Sequence, residues 1–352
     1  MGSDSGQFFE GTEKLLEVWF LPVDAGPQQS LRDVPRSVWE GLLELAHCQI
    51  ISVKSNEIMD AYLLSESSMY VTDTRFILKT CGTTGLMHTV EPLLKIAASY
   101  GFTVVQNIFF SRKNFSRPEL QPDPHKHFED EVEHLDGIFE DGGAYCLGRM
   151  NRDRWYLYTL IAPPSLPGGH CSDTSPDQTL EIIMSELDRE IMDIFTMQRC
   201  QDGREATKMS GIDKLLPPGT IVDDYLFEPC GYSLNAILPN SDEYVTIHIT
   251  PEEGYSYVSF ETNMSQKNYS ELIKKTLNCF KPGKFIITLF TNQASREDSE
   301  GQKSIWQMDL SGYRRYDAQF LKLPAYNLSF GRYESTKGAV RAIGPNSDRI
   351  QG

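Results

Sequence analysis

The chain is poor in several things at once. No run of apolar residues approaches the roughly 20 needed to cross a bilayer, so no membrane-spanning helix is expected. The opening residues, MGSDSGQFFEG, lack the basic segment followed by an apolar stretch that marks an export signal. Positive charge is in short supply: 33 lysines and arginines face 49 aspartates and glutamates, for a net charge of −16. That balance argues against nucleic acid or an anionic membrane as a partner and favours a cationic ligand. Cysteine is scattered. Cys48, Cys81, Cys146, Cys171, Cys200, Cys230 and Cys279 occur singly, with no CxxC pair and no histidine spacing that suits a metal. Without an export signal, such a set reads as the reduced thiols of a cytoplasmic protein that carries no metal.

Strand-forming sequence, in contrast, is plentiful. Aromatic and β-branched residues fill EKLLEVWF (13–20), MYVTDTRFILKT (69–80), TVVQNIFF (103–110), GAYCLGRM (143–150) and RWYLYTLIA (154–162). They recur in EYVTIHIT (243–250), YSYVSFET (255–262) and KFIITLF (284–290). Short turns such as NRD after Met150 and PNSD after Leu238 imply antiparallel pairing. Helical stripes are fewer. A capping box of Ser37 and Glu40 is expected ahead of VWEGLLELA. Met87, Val90, Leu94 and Ala97 form a second stripe, Phe128, Val132, Leu135 and Phe139 a third, and Ile273, Leu277 and Phe280 a fourth. The residues therefore predict a strand-rich α+β fold. The series FILKT, helix, TVVQNIFF parallels VSFET, helix, KFIITLF, pairing Thr80 with Thr262 and Lys79 with Glu261. This suggests duplicated halves, roughly 8–165 and 176–330, within one domain spanning 1–334. A loop rich in Pro, Gly and Ser (162–177) separates them, and the tail 335–352 is expected to be disordered.

Three places draw attention for chemistry. The run YLLSESSMYV (62–71) sets an acid and two hydroxyls, Glu66-Ser67-Ser68, inside what otherwise alternates like a strand. The ordinary reading is a surface turn; the alternative is a hydroxyl that attacks its own backbone. EPCGYSLNAILPNSDEYVTIHITPE (228–252) reads as a hairpin. With the turn centred between Asn240 and Ser241, Ser233 and His248 are equidistant from it and face each other, their Cβ atoms about 5 Å apart. A histidine among Val245, Ile247 and Ile249 is costly unless paired; a satisfied core histidine remains the competing reading. Cys81 precedes Gly82-Thr83-Thr84 at an expected helix start, where a helix N-terminus would lower its pKa; a small buried hydrophobe is the alternative. Two strands also carry alternating acids: Glu13, Leu15, Glu17 and Trp19 on one face, and Asp177, Thr179 and Glu181 on another. If those faces point inward, they need a buried cation.

The stretches FFEGTEKLLEVWF, LSESSMYV, FILKTCGTT, FFSRKNF, YLYTL, PDQTLEI, PCGYS, TIHITPE, YVSFETN and KPGKF together closely resemble the eukaryotic S-adenosylmethionine decarboxylases of the animal type. The resemblance runs from about Phe8 to about residue 330. It implies a four-layer α/β/β/α sandwich of two mainly antiparallel sheets. It also implies a proenzyme that cuts itself between Glu66 and Ser67 into a β chain (1–66) and an α chain (67–352), converting Ser67 to a pyruvoyl group. Ser67 would attack the Glu66 carbonyl, with His248 as the base of the following elimination and Ser233 as its helper. The pyruvoyl group would form a Schiff base with the substrate and draw electrons from the decarboxylating carbon. Cys81 would reprotonate that carbon, and Glu13 would belong to the catalytic set.

By the same resemblance, Phe9 and Phe227 would sandwich the adenine of S-adenosylmethionine, Glu252 would take its ribose, and Leu64 with the Glu66 backbone its adenine edge. Putrescine would bind as an activator among Glu13, Glu17, Lys79, Phe109, Asp177, Thr179, Glu181, Glu261 and Phe290. Leu15 and Phe109 stand where the plant type carries arginine. The product would feed spermidine and spermine synthesis, and the cleaved protomers would form a homodimer. An inactive regulatory paralogue is the rival reading, although Ser67, Cys81, Ser233 and His248 are all present. A self-cleaving hydrolase and a pyridoxal enzyme built on Lys79 are further alternatives.

Overall fold

The structure, a computed structural model, describes residues 8–21, 30–160, 177–292, 294–295 and 305–337. In the first half, eight strands form one antiparallel sheet: β1 (Lys14–Leu21), β2 (Ile50–Ser55), β3 (Asp60–Leu64), β4 (Ser67–Val71), β5 (Arg75–Thr80), β6 (Val104–Lys113), β7 (Gly142–Leu147) and β8 (Trp155–Leu160). The second half repeats the plan with β9 (Gln178–Leu187), β10 (Ile221–Leu226), β11 (Tyr232–Ile237), β12 (Tyr244–Thr250), β13 (Tyr257–Thr262), β14 (Pro282–Asn292), β15 (Tyr313–Lys322) and β16 (Tyr326–Ser335). The first sheet runs β2-β3-β4-β5-β1-β6-β8-β7 and the second β10-β11-β12-β13-β9-β14-β16-β15. The permutation is the same in both. Lys79 and Glu261 occupy matching places, on β5 and β13.

Helices cover the outer faces. On the first sheet, α1 (Arg36–Leu45), α2 (Val90–Ser99) and α3 (Phe128–Asp136) bury Trp39, Leu43, Leu93 and Leu135 against Leu16, Phe76, Leu78 and Phe110 of the strands. On the second, α4 (Arg189–Ile194), α5 (Gly203–Ser210) and α6 (Ser270–Phe280) pack near Leu180, Ile247, Phe260 and Phe285. The inner faces meet through a smaller apolar cluster including Phe109, Trp155, Ile286 and Phe330, and through Tyr70 stacked on Tyr244 with ring centroids 4.6 Å apart. The result is the expected α/β/β/α sandwich. The space between its sheets is partly polar, which sets the stage for the chemistry.

Two local expectations fail for identifiable reasons. The run 69–80 is a hairpin rather than one strand. Thr72-Asp73-Thr74 turns the chain, with the Thr72 hydroxyl accepting from the Arg75 N–H at 3.1 Å. Ser37 and Glu40 form no capping box: α1 starts at Arg36 behind Pro35 without a side-chain cap, and Glu40 pairs with Arg36 at 2.8 Å. The box instead belongs to Ser30 and Asp33, at a short 3-10 turn (Leu31–Asp33). At the C-terminal end, β16 extends one residue past Glu334. The central loop from 162 to 176 and the tail from 338 onward lie outside the described residues.

Candidate active site

Ser67 opens β4, directly after the tight Ser65-Glu66 turn that joins it to β3, where it pairs with Leu64. The turn forces Ser67 to φ = 128°, a region that side-chain-bearing residues avoid. Such backbone stores on the order of 1–3 kcal/mol and persists only where its surroundings impose it. The surroundings do so here. The carbonyl of Glu66 accepts the Cys81 N–H at 3.0 Å and the Cys81 thiol at 3.5 Å. The Ser67 hydroxyl donates to Glu13 Oε1 at 2.6 Å. Burial pushes the Glu13 carboxyl up, but Lys79, His248 and the hydroxyls of Ser259 and Ser67 outweigh it and hold the group below its usual range. An ionised acceptor thus sits on the hydroxyl closest in sequence to the Glu66 carbonyl.

The β11–β12 hairpin takes the anticipated register, with Ser233 opposite His248. Ser233 Oγ lies 2.8 Å from His248 Nδ1. On the other side of the ring, Nε2 is 3.0 Å from Ser68 Oγ, 2.9 Å from Thr246 Oγ1 and 3.7 Å from Glu13 Oε1. Burial, assisted by Lys79 and opposed by Glu13, lowers the imidazole to a pKa of about 4. It is neutral at physiological pH and able to accept a proton. The hydroxyls around it have acceptors of their own: Ser68 and Tyr70 both donate to Asn235 Oδ1, at 2.5 and 2.8 Å.

These groups open onto a cleft of about 780 Å3 between the ends of the two sheets. Phe9, Phe227, Glu252, Glu66, Ser67, Cys81, Ser233 and His248 all line it. The Phe9 N–H donates to Glu252 Oε2 at 3.2 Å, tying the N-terminal segment to the end of β12. The Leu64 side chain does not reach the cleft; it is fully buried in the helix-side core. Cys81 also departs from expectation. No helix begins at its shoulder, since the first helical turn starts at Leu86. Burial, with Glu66 and Glu13 nearby, pushes the thiol well above its ordinary pKa. A protonated thiol is a proton donor rather than a nucleophile.

A second cavity lies deeper between the sheets. Glu17, Phe109, Asp177, Thr179, Glu181, Glu261 and Phe290 line it with Leu15, as do Trp155 and Tyr326. Beside it, fully buried Lys79 reaches Glu261 at 2.9 Å, Glu13 at 3.5 Å and Glu181 at 3.8 Å. Arg75 reaches Glu17 at 3.5 Å and Asp177 at 3.6 Å, and lies over the Trp19 ring. Five carboxylates therefore meet two cations among the described residues. Burial first, and then neighbouring acids against Arg75 or Lys79, raises Glu17 and Glu181 each to about 7. Glu13 belongs to both places: one oxygen takes Ser67, the other faces Lys79. Lys79 is locked in this network and held charged by its carboxylates, so it is not the free amine a pyridoxal enzyme requires.

Sequence reasoning noticed Ser68 without placing it at His248, and missed Thr246 and Asn235 there and Arg75, Trp155 and Tyr326 at the second cavity. For the first group a signal existed. Thr246 is two residues from His248 on the same strand, and Asn235 faces it at the next inward position of the same hairpin. Tyr326 approaches through its hydroxyl, which donates to Asp177 at 2.9 Å from 149 residues away, and no local pattern announces that.

The chain is similar to known proteins over nearly its whole length. The profile of the adenosylmethionine decarboxylase family matches residues 6–334. The chain is 50% identical over 335 residues to the S-adenosylmethionine decarboxylase proenzyme of Xenopus laevis, covering 94% of this chain and 96% of that one. It is 46% identical over 333 residues to the proenzyme of Onchocerca volvulus, covering 94% and 89%. A crystal structure of the Trypanosoma brucei AdoMetDC-delta26 monomer superposes with a TM-score of 0.57 at 26% identity, covering 76% of this chain and 98% of that one. A profile match over almost the whole sandwich, and relatives near half identity along the same span, lead to one conclusion: this chain belongs to the adenosylmethionine decarboxylase family.

Proposed function

We propose that the chain cuts itself between Glu66 and Ser67 and then decarboxylates S-adenosylmethionine with the pyruvoyl group that Ser67 becomes. One observation carries the reading: Ser67 is strained at φ = 128° while its hydroxyl and the carbonyl it would attack are both held. Glu13 accepts the hydroxyl proton as Oγ bonds to the Glu66 carbonyl carbon. The oxygen that becomes negative already faces the Cys81 N–H, an oxyanion donor in place before reaction. The proton passes from Glu13 to the Ser67 nitrogen as the Glu66–Ser67 C–N bond breaks, which leaves an ester and a free amine and relieves the strained φ. Neutral His248, oriented by Ser233, then takes the Ser67 Cα proton. The Cβ–O bond breaks, Glu66 leaves as a carboxylate, and water releases ammonia to give the pyruvoyl end. These residues fit the group they would form.

When formed, the pyruvoyl group supplies the electron sink for decarboxylation. The chain's own residues do the rest. Phe9 and Phe227 offer aromatic faces at the cleft to the adenine and the sulfonium cation. Glu252 offers a carboxylate to ribose hydroxyls. Cys81, protonated at neutral pH, returns a proton to the substrate carbon. The second cavity fits a short diamine such as putrescine. Five acids against two cations leave room for two further charges, and aromatic walls suit the methylene chain. Bound there, putrescine reaches the first site through Lys79 and Glu13. The test is release of carbon dioxide from carboxyl-labelled S-adenosylmethionine. The purified protein should release it and Ser67→Ala should not; equal release by both would overturn the reading.

A further inference from the structure

Lys14 stands out among the buried charges. It is 0% exposed, on the face of β1 opposite Glu13 and Glu17. Its ammonium donates to two neutral oxygens, Gly82 O at 3.2 Å and Gln121 Oε1 at 3.1 Å. The ring of Phe115 lies 5.3 Å away. No carboxylate is within ion-pair distance of it among the described residues. Glu131, an acid that bears on it, is already taken by Arg112 at 2.8 Å and by His125 at 2.7 Å. A buried ammonium with only neutral acceptors is expensive. Its neighbour along the chain it holds is the thiol of Cys81, one residue before the Gly82 carbonyl.

We propose that Lys14 is a positioning residue for Cys81: it pins the Cys81-Gly82 backbone and supplies the positive charge that lets the buried thiol release its proton. The proposal deepens the reading of Cys81 as proton donor and rests on it. When the S–H bond breaks and the proton moves to the substrate carbon, the electron pair stays on sulfur. Facing that thiolate are the carboxylates of Glu66 and Glu13 and the thiol of Cys48, all unfavourable. Lys14 is the favourable charge there among the described residues. Burial lowers Lys14 most, with Arg112 also opposing its charge; Cys81, Glu131 and Cys48 favour it, the Glu66 carboxylate and the His125 ring also interact with it, and the balance leaves its pKa at about 8. It therefore still carries its proton at neutral pH. The carbonyl grip is reinforced by the Gly82 N–H, which donates to Glu10 O at 2.8 Å, and by the positive φ of 65° that only glycine adopts freely.

The test uses the unprocessed Ser67→Ala chain, in which no decarboxylation occurs. Iodoacetamide alkylation of Cys81 is followed by peptide-resolved mass spectrometry at about pH 7, where Lys14 still carries its proton and thiolate fraction sets the rate. Lys14→Met should slow alkylation of Cys81 about tenfold at a given pH, as a one-unit rise in thiol pKa requires. Lys14→Arg should restore most of the rate. Faster alkylation in Lys14→Met would mean that the lysine only shields the loop, and would overturn the proposal, as would an unchanged rate. If Lys14→Met does not fold, Lys14→Gln decides the same question, because it keeps an N–H for Gly82 and loses only the charge. A separate assay of Cys81→Ala, in otherwise native processed enzyme, distinguishes the two readings. Undiminished decarboxylation there would overturn the donor role while leaving the lysine–thiol coupling intact.

Discussion

In the proposed reaction Ser67 and His248 carry the chemistry, and each makes its own demand on experiment. Ser67→Ala removes the nucleophile, so one full-length chain should persist on a denaturing gel; two bands would contradict the assignment. His248→Ala should pass the acyl shift and stop before elimination. The accumulated ester should then be cut by hydroxylamine, and insensitivity to hydroxylamine would place His248 elsewhere in the sequence of events. Ser233 and His248 were legible as a pair because a hairpin converts distance along the chain into facing positions. Glu13 as the acceptor for Ser67 was harder to see: 54 residues separate them, and only the packing of the two strands brings them together. Cys81 was misread in one respect. Its surroundings are acidic and buried, not the start of a helix, and that reverses the direction of its pKa shift.

At the scale of elements, β1 explains why one strand serves two sites. Its alternation sends Glu13 and Glu17 between the sheets and Lys14 toward the helices. β5 and β13, matching strands of the two halves, close the space between the sheets with Lys79 on one and Glu261 on the other. Lys79→Met would strand Glu13, Glu181 and Glu261 without their shared cation. Breaking a buried pair costs on the order of 3–5 kcal/mol, so urea denaturation should show a loss of that size, partly restored by adding Glu261→Gln. Unchanged stability would contradict the buried network. The faces of these strands could be read from alternation alone, since period two is strict. The split of 69–80 into a hairpin could not, because Thr72-Asp73-Thr74 lacks the glycine or proline that usually marks a turn.

For the whole molecule, the identical strand order of the two sheets is the duplication that the parallel series of the two halves suggested: eight strong strand runs and four helical stripes pointed to a strand-rich α+β fold, and the four layers came from the family resemblance. Edge strands such as β2, β10 and β15 escaped notice, being polar and half exposed. The excess of acids between the sheets gives the molecule a pH dependence. Glu17 and Glu181 hold protons in the folded state that the unfolded chain has already lost between pH 4.5 and about 7. Stability from these groups is therefore present at low pH and is lost as pH rises through that window. A dication bound there as proposed would reverse the loss. Putrescine should raise the melting temperature more at pH 8 than at pH 6, and Asp177→Asn should blunt the shift. A shift independent of pH would argue against binding among these acids.

The central claim, that Ser67 becomes a pyruvoyl group by cutting its own chain, is tested most directly by the intact mass of the purified protein under denaturing conditions. The account predicts two chains, one ending at Glu66 with a free carboxylate. The other should begin at position 67 and be lighter by one ammonia than a chain starting with serine. A single uncut chain, or a second chain with the mass of a serine start, would contradict it.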